Sequence, residues 1–246
     1  MAELNFPTET IDLPSKGLVY PKDHPLSSGK VEMKYMTTRE EDILTNINYL
    51  DKNIILDKLL ESMTLNKFDV KDIIDGDKNA LLISSRILGY GKDYIFKYKE
   101  KEYTIDLSLL ENKPFNEEDL TPEGTLKFVL PYSENEVELK FLTEKEQDEI
   151  EVETKALQKI DKNRGEVSVR LRHTIVSVNG DKNKDNIRNF VDNHLLAKDA
   201  RELRNFIKSK APDINSVFVA DGNEEVPIPI TLAFFWPDFQ GFDSKI

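Results

Sequence analysis

Val31-Glu32-Met33-Lys34-Tyr35-Met36-Thr37-Thr38-Arg39-Glu40-Glu41-Asp42-Ile43-Leu44 returns 106 positions later as Val137-Glu138-Leu139-Lys140-Phe141-Leu142-Thr143-Glu144-Lys145-Glu146-Gln147-Asp148-Glu149-Ile150, with six of 14 residues identical. Most other positions exchange Met for Leu, Tyr for Phe, Arg for Lys or Glu for Gln. In each copy apolar residues alternate (Val31, Met33, Tyr35; Val137, Leu139, Phe141), which is the period of a half-buried strand. Each run then meets Thr-x-x-Glu, from Thr37 to Glu40 and from Thr143 to Glu146. That spacing forms a capping box, in which the Thr oxygen serves a first-turn N–H and the Glu reaches back to the cap. Both copies therefore read as a strand turning abruptly into a helix.

The likeness extends outward. Upstream lie Ile11-Asp12-Leu13-Pro14-Ser15 and Phe128-Val129-Leu130-Pro131-Tyr132, each an apolar stretch ending in Leu-Pro. Only Tyr132 to Glu136 separate the second stretch from its strand, which predicts a β-hairpin. The first connection is longer and holds Gly17, Pro21, Pro25 and Gly29, so it predicts a hairpin with an extended surface loop. Downstream, Ile55, Leu59, Leu60 and Met63 fall at helical spacing. Asp77 then precedes an apolar run from Ala80 to Leu88 that Gly89 and Gly91 stop. In the second copy Ile187, Phe190, Val191 and Leu195 form a stripe, and Asp199 caps a segment with Leu203, Phe206 and Ile207. Residues 167–178 carry β-branched side chains, but their place in the repeat predicts a helix. Hairpins are expected at 94–107, around Lys99-Glu100-Lys101, and at 217–232, around Asp221-Gly222-Asn223-Glu224.

The predicted class is α+β, with two pseudo-repeated units, each a β-hairpin leading into helices and closed by a second hairpin. The boundaries are an N-terminal arm with its long hairpin loop at 1–30, a first unit at 31–111, and an acidic linker at 112–124. A second unit follows at 125–237, then a tail at 238–246. The 246 residues, of which 39% are hydrophobic, suffice for two such cores.

Charge and composition narrow the function. Lys and Arg number 34 against 46 Asp and Glu, a net charge of −12, which argues against broad binding to nucleic acid or anionic membranes. Cysteine is absent, so disulfides, thiolate metal centres and cysteine nucleophiles are excluded. No apolar run is long enough to span a bilayer, and the N-terminus lacks the basic and apolar regions of a signal peptide.

The catalytic inventory is thin. His24, His173 and His194 show no metal-ligand spacing, and no phosphate-binding glycine loop or nucleophile elbow occurs. Asp72, Asp75, Gly76 and Asp77 lack the ligand spacing of a calcium loop. Lys182, Lys184 and Arg188 cluster, diluted by Asp181 and Asp185, and read as a solvated helix start. No catalytic, cofactor or metal residues are therefore assigned. An alternative is a carboxylate-based hydrolase, in which the paired strand-to-helix corners bring Glu40, Asp42, Glu146 and Asp148 together; helix capping explains these residues more simply.

Two segments read as recognition surfaces. Residues 12–21 are Pro-punctuated and apolar, and Phe234-Phe235-Trp236-Pro237 is followed by Phe239 and Phe242. The partner-binding candidates are Leu18, Val19 and Tyr20 in the arm and Phe239 and Phe242 in the tail, expected to be exposed anchors.

Several pieces, taken in order, carry a resemblance. They are Leu13-Pro14-Ser15-Lys16-Gly17 with Tyr20-Pro21, His24-Pro25-Leu26-Ser27-Ser28-Gly29, Tyr35-Met36-Thr37 with Glu40 to Thr45, and Asp77-Lys78-Asn79-Ala80 with Arg86 to Gly91. Later pieces are Ile175 to Gly180, Ile187 to Val191 and Phe234 to Pro237. Together they span nearly the whole chain, which resembles the T4-type bacteriophage baseplate hub assembly proteins. The resemblance implies a non-catalytic role in a contractile-tail baseplate, with other hub or tail proteins as partners. It places the protein in the host cytoplasm during assembly, or in the virion baseplate, and the charge balance and lack of an apolar span add the expectation of no nucleic-acid partner and no membrane insertion. Relatives with paired cysteines in the last hairpin imply a zinc ribbon; Val217 to Val226 contains none, so no metal is carried over.

Overall fold

The computed structural model describes residues 7–46, 52–160, 165–221 and 224–235. The chain is α+β, and its strands pair only with near neighbours in sequence. Strand β1 (Thr8–Asp12) pairs antiparallel with β2 (Lys30–Lys34), with Ile11 opposite Val31. In β2 Val31 and Met33 are buried between exposed Lys30 and Glu32, as the alternation requires. Helix α1 (Thr38–Leu44) follows at once. Helices α2 (Lys52–Met63) and α3 (Asp75–Tyr90) complete the helical part of the first unit. Gly91 ends α3 with a φ of 85°, a position where a side chain would be strained. The hairpin of β3 (Asp93–Tyr98) and β4 (Lys101–Asp106) comes next.

The second unit repeats this order. Strand β5 (Leu126–Val129) pairs with β6 (Glu136–Leu139), where Val137 and Leu139 are buried. Helix α4 (Glu144–Ile160) stands where α1 stands in the first unit. The expected helix at 167–178 divides into α5 (Glu166–Thr174) and β7 (Ile175–Val178), and β7 pairs with β6. The β-branched residues Ile175, Val176 and Val178 win at the end, because β6 offers them a ladder. Helices α6 (Lys184–Asn193) and α7 (Ala197–Lys210) follow.

The two units share polar contacts as well as order. Lys34 pairs with Glu40 at 2.8 Å, and Lys140 pairs with Glu146 at the equivalent corner. The Thr37 N–H donates to Glu40 Oε2 at 2.8 Å, and the Thr143 N–H to Glu146 Oε2 at 3.0 Å. After α2, Thr64 bridges Met33 and the Leu65 N–H donates to the Glu32 carbonyl at 2.9 Å. That short extended contact is the counterpart of β7 on β6.

One element departs from the expected division. Strands β8 (Val217–Ala220) and β9 (Glu224–Pro227) form the last hairpin, but it packs on the first unit. Phe218 lies 4.6 Å from Phe96 in an edge-to-face pair and 5.3 Å from Tyr103, ring centre to ring centre. Phe218, Ala220, Ile228, Phe234 and Phe235 belong to the core built around α2 and α3. Residues 125–237 therefore do not pack as one unit. The reason is topological: Lys113 N–H donates to Asp213 O and Asn215 N–H to Glu111 O, each at 2.8 Å, which zips the linker to the segment after α7. Within that seam Gly76 lies so close to the Pro212 carbonyl that an added Cβ would stand 1.9 Å from it.

Helix α3 is the centre of the molecule. It buries residues on every side, including Asp77, Leu81, Leu82, Ile83, Arg86 and Leu88, as a helix surrounded by other elements does. Arg86 is 1% exposed and meets three carbonyls: Nε to Phe234 at 3.1 Å, Nη1 to Gly91 at 3.0 Å and Nη2 to Asp93 at 3.4 Å. It thereby ties the end of α3 to the start of β3 and to the turn Leu232–Phe235 near the chain's end. A separate, smaller core under β5, β6 and β7 gathers Leu126, Val137, Leu139, Leu171, Ile175 and Leu203.

Candidate functional site

The long loop between β1 and β2 folds back over the start of α3. Its Pro residues and the short 3-10 turn Pro25–Ser28 hold it compact, and His24 caps that turn by accepting the Leu26 N–H at 3.2 Å on Nδ1. Gly17 adopts a φ of 78° against the turn, where a Cβ would lie 2.4 Å from the Ser27 carbonyl. At the bottom of the loop sits Asp77, fully buried. Its Oδ1 accepts the Ser15 N–H at 2.9 Å; its Oδ2 accepts the Ser15 hydroxyl at 2.6 Å and the Tyr20 hydroxyl at 2.7 Å. The Tyr20 oxygen in turn accepts the Ile74 N–H at 3.2 Å. Burial pushes the Asp77 carboxyl upward, against the Ser15 and Tyr20 hydrogen bonds that favour its charge. Burial and the neighbouring Asp77 charge push the Tyr20 hydroxyl far up as well, so it stays a donor.

The second unit carries the same device in simpler form. Asp199, also fully buried, accepts the Tyr132 N–H at 2.9 Å and the Ser133 N–H at 3.1 Å, just after Leu130-Pro131. Asp77 and Asp199 thus each clamp the backbone that follows a Leu-Pro pair. Sequence reading placed both aspartates at helix starts but did not see their shared partner.

This geometry corrects one expected anchor. Tyr20 is 9% exposed and belongs to the core, so it is no surface anchor. Leu18 and Val19 are half-buried. The linker lies across them: a Cβ on Gly124 would stand 2.6 Å from the Leu18 carbonyl, and Lys16 Nζ donates to the Phe115 carbonyl at 2.9 Å. Between loop and linker runs a groove of about 480 Å³, lined by Gly17, Leu18, Tyr20, Lys22, Leu120 and Pro122 among others. Phe239 and Phe242 lie outside the described residues, as does Trp236.

Of the four carboxylates of the alternative hydrolase, Asp42 is exposed on α1 and the other three are committed elsewhere. Glu40 is fully buried; burial alone would raise its pKa, but hydrogen bonds from Lys34, Ser62 and Thr37 outweigh that and hold it at about 2. A carboxylate so stabilised does not donate protons at neutral pH. Glu146 is held by Lys140 and the Thr143 cap, and Asp148 pairs with Lys71 at 3.0 Å. These groups serve two separate corners and a joint.

That joint was not visible in the sequence. Lys78 links Asp57 at 2.7 Å to Glu144 at 3.0 Å, and Lys71 reaches Asp57 at 2.9 Å. Burial would lower the Lys71 pKa, yet Asp57 and Asp148 raise it well above the usual lysine range. The Glu144 N–H donates to the Ile73 carbonyl at 3.0 Å, and Ile74 bridges Thr143. The start of α4 is therefore hydrogen-bonded to the segment that leads into α3. A cavity of about 760 Å³ opens beside the joint, lined by Asp75, Lys78, Glu144, Gln147, Thr154 and Arg170 among others. Burial, then the Glu144 charge, raises the Asp75 carboxyl, whose Oδ2 accepts from Gln147 at 2.6 Å.

No group of three side chains able to hold a metal occurs among the described residues. His173 Nε2 lies 3.1 Å from Glu153, and His194 follows α6 as its C-cap. No described helix is long and apolar enough to cross a membrane. Comparison with protein-family profiles, with curated proteins and with solved structures finds no match.

Proposed function

We propose that the chain is a non-catalytic assembly factor or structural component of a phage tail baseplate hub, acting through contacts with other hub or tail proteins. One observation carries the reading. The pieces that resemble the baseplate hub assembly proteins are far apart in sequence, yet their residues meet in one framework. Ser15 and Tyr20 bind Asp77, Gly17 closes on Ser27 and Gly29, and Arg86 binds Gly91 and Phe234. These contacts give the separate pieces one shared structural role, which supports reading them as a set. In this reading the host cytoplasm during assembly, or the virion baseplate, is the place of action. Leu18 and Val19, beside the loop–linker groove, and Phe239 and Phe242 in the tail remain the proposed contacts.

Co-expression with baseplate hub and tail proteins, followed by pull-down, tests this. Capture of a hub or tail protein is expected, and deletion of residues 238–246 should weaken it while the thermal midpoint holds. Failure of the folded protein to retain any of them would overturn the proposal.

A further inference from the structure

We propose that the chain associates weakly with a second copy of itself, antiparallel, along the outer face of α4. Val152, Ala156 and Ile160 recur at every fourth residue of that helix and so form one row about 12 Å long. The row lies on the far side of the helix from Ile150 and Thr154, which α4 buries. Val152 is 69% exposed and Ile160 84%, and Ala156 is exposed as well. From Lys155 to Ile160 only Leu157 is even half-buried, so the last turns of α4 stand out from the second unit.

A helix facing only water carries polar residues on its outward face, and an apolar row there marks a face that something covers. Helices also owe most of their stability to packing rather than to propensity, and the end of α4 has little of its own chain to pack on. Two hollows flank the row, one lined by Lys155 and Gln158 among others, the other by Glu149 and Glu153 among others. The row is therefore a ridge open to another surface.

The distribution of charge names the occupant. Residues 144–153 hold six acids and one lysine, whereas residues 154–160 hold Lys155 and Lys159 and no acid. An antiparallel copy sets each acidic half beside the other's basic half and opposes the two helix dipoles. A parallel copy would set acid on acid. With the two-fold axis level with residue 154, Val152 of each copy meets Ala156 of the other, whose small side chain admits a close approach. Glu149 then comes level with Lys159 of the other copy. Both are exposed and make no ion pair with a described residue, so these charges are available. The helix is thus its own complement, the condition of an isologous contact. Three apolar side chains with charged flanks fall short of the roughly 20–30 residues a side of a standard interface, so the association is weak.

The test is sedimentation equilibrium of the full chain from about 10 µM to about 1 mM, the range in which weak association is read. A monomer–dimer equilibrium is expected, weaker as salt rises. Val152→Gln combined with Ile160→Gln alters exposed residues without altering charge, and it should weaken dimerisation by about tenfold or more. Lys159→Glu alone should also weaken it, and adding Glu149→Lys should restore it, because the exchanged charges meet again across the two-fold axis. Far-UV circular dichroism checks that each variant keeps its helices, and the two sets of variants are independent of each other. A chain that stays monomeric throughout the range would overturn the proposal. So would undiminished dimerisation of the double Gln variant, or a charge exchange that fails to rescue. The measurement needs no hub protein, so its failure removes the α4 contact alone, whereas a failed pull-down removes the hub reading alone.

Discussion

Replacing Asp77 by Ala withdraws one carboxylate from three donors: the Ser15 N–H, the Ser15 hydroxyl and the Tyr20 hydroxyl. Each hydrogen bond to a charged acceptor contributes roughly 1.5–3 kcal/mol net. The variant also relieves the cost of burying the carboxylate itself, so the sum is not fully lost. A net destabilisation of about 3–4 kcal/mol follows, at the level seen when one partner of a buried charged contact is removed. Asp199→Ala withdraws an acceptor from two backbone N–H groups only, beside the exposed Tyr132 where water can substitute. Its cost should be about 1–2 kcal/mol.

The same structure fixes a coupling. Tyr20→Phe removes a donor to Asp77 and an acceptor for the Ile74 N–H, so it should cost about 2 kcal/mol in the native background. With Ala at position 77 only the Ile74 contact is left to lose, and the cost should fall to about 1 kcal/mol, a coupling of about 1 kcal/mol. Equilibrium urea unfolding of the four proteins in this cycle measures it. Equal cost of Tyr20→Phe in both backgrounds would refute the clamp, as would an Asp77→Ala effect no larger than that of Asp199→Ala.

Three further outcomes are expected. Glu40 is held at about 2 against an ordinary 4.5, so its contribution is complete above pH 4.5 and is lost as pH falls toward 2, on the order of 3 kcal/mol; Glu40→Gln should remove that dependence in acid-unfolding curves. Gly17→Ala places a Cβ 2.4 Å from the Ser27 carbonyl at a φ of 78°, and a loss of about 1–3 kcal/mol should appear as a lower thermal midpoint. Phe218→Ala should cost about 3–5 kcal/mol and shift the NMR signals of Phe96 and Tyr103, because its ring packs on theirs and not on the second unit.

What the sequence disclosed was local. The alternation in Val31 and Met33, the Thr-x-x-Glu corners and the glycine that stops α3 each act within a few residues, and each produced the expected element. Tyr20 was misplaced because its partner Asp77 is 57 positions away, and a Pro-rich loop reads as exposed until something is seen to receive it. The last hairpin was assigned by order along the chain, whereas its apolar face follows the aromatic surface of Phe96, Tyr98 and Tyr103. The division of residues 167–178 was within reach. Its β-branched residues carried the strand signal, and the repeat misled because the extended contact of Thr64 and Leu65 with β2, the counterpart of β7, shows only in the fold. The charged joint of Lys71, Lys78, Asp57 and Glu144 had no such signal, since isolated charges on helices look solvated in any linear reading.

The two units show how one motif takes on unequal roles. Both keep the corner ion pair and the aspartate clamp after Leu-Pro, the contacts that define the turn from sheet to helix. The first unit lengthened its hairpin loop, added a tyrosine to the clamp and collected the last hairpin, so α3 became buried on every face. The second unit kept a six-residue connection and gave up its closing hairpin, and its core is the smaller of the two. Core size scales with stability, so the first unit serves as the foundation. The second, with less to bury, leans on that foundation through the Glu144 N–H on the Ile73 carbonyl and the Asp148–Lys71 pair.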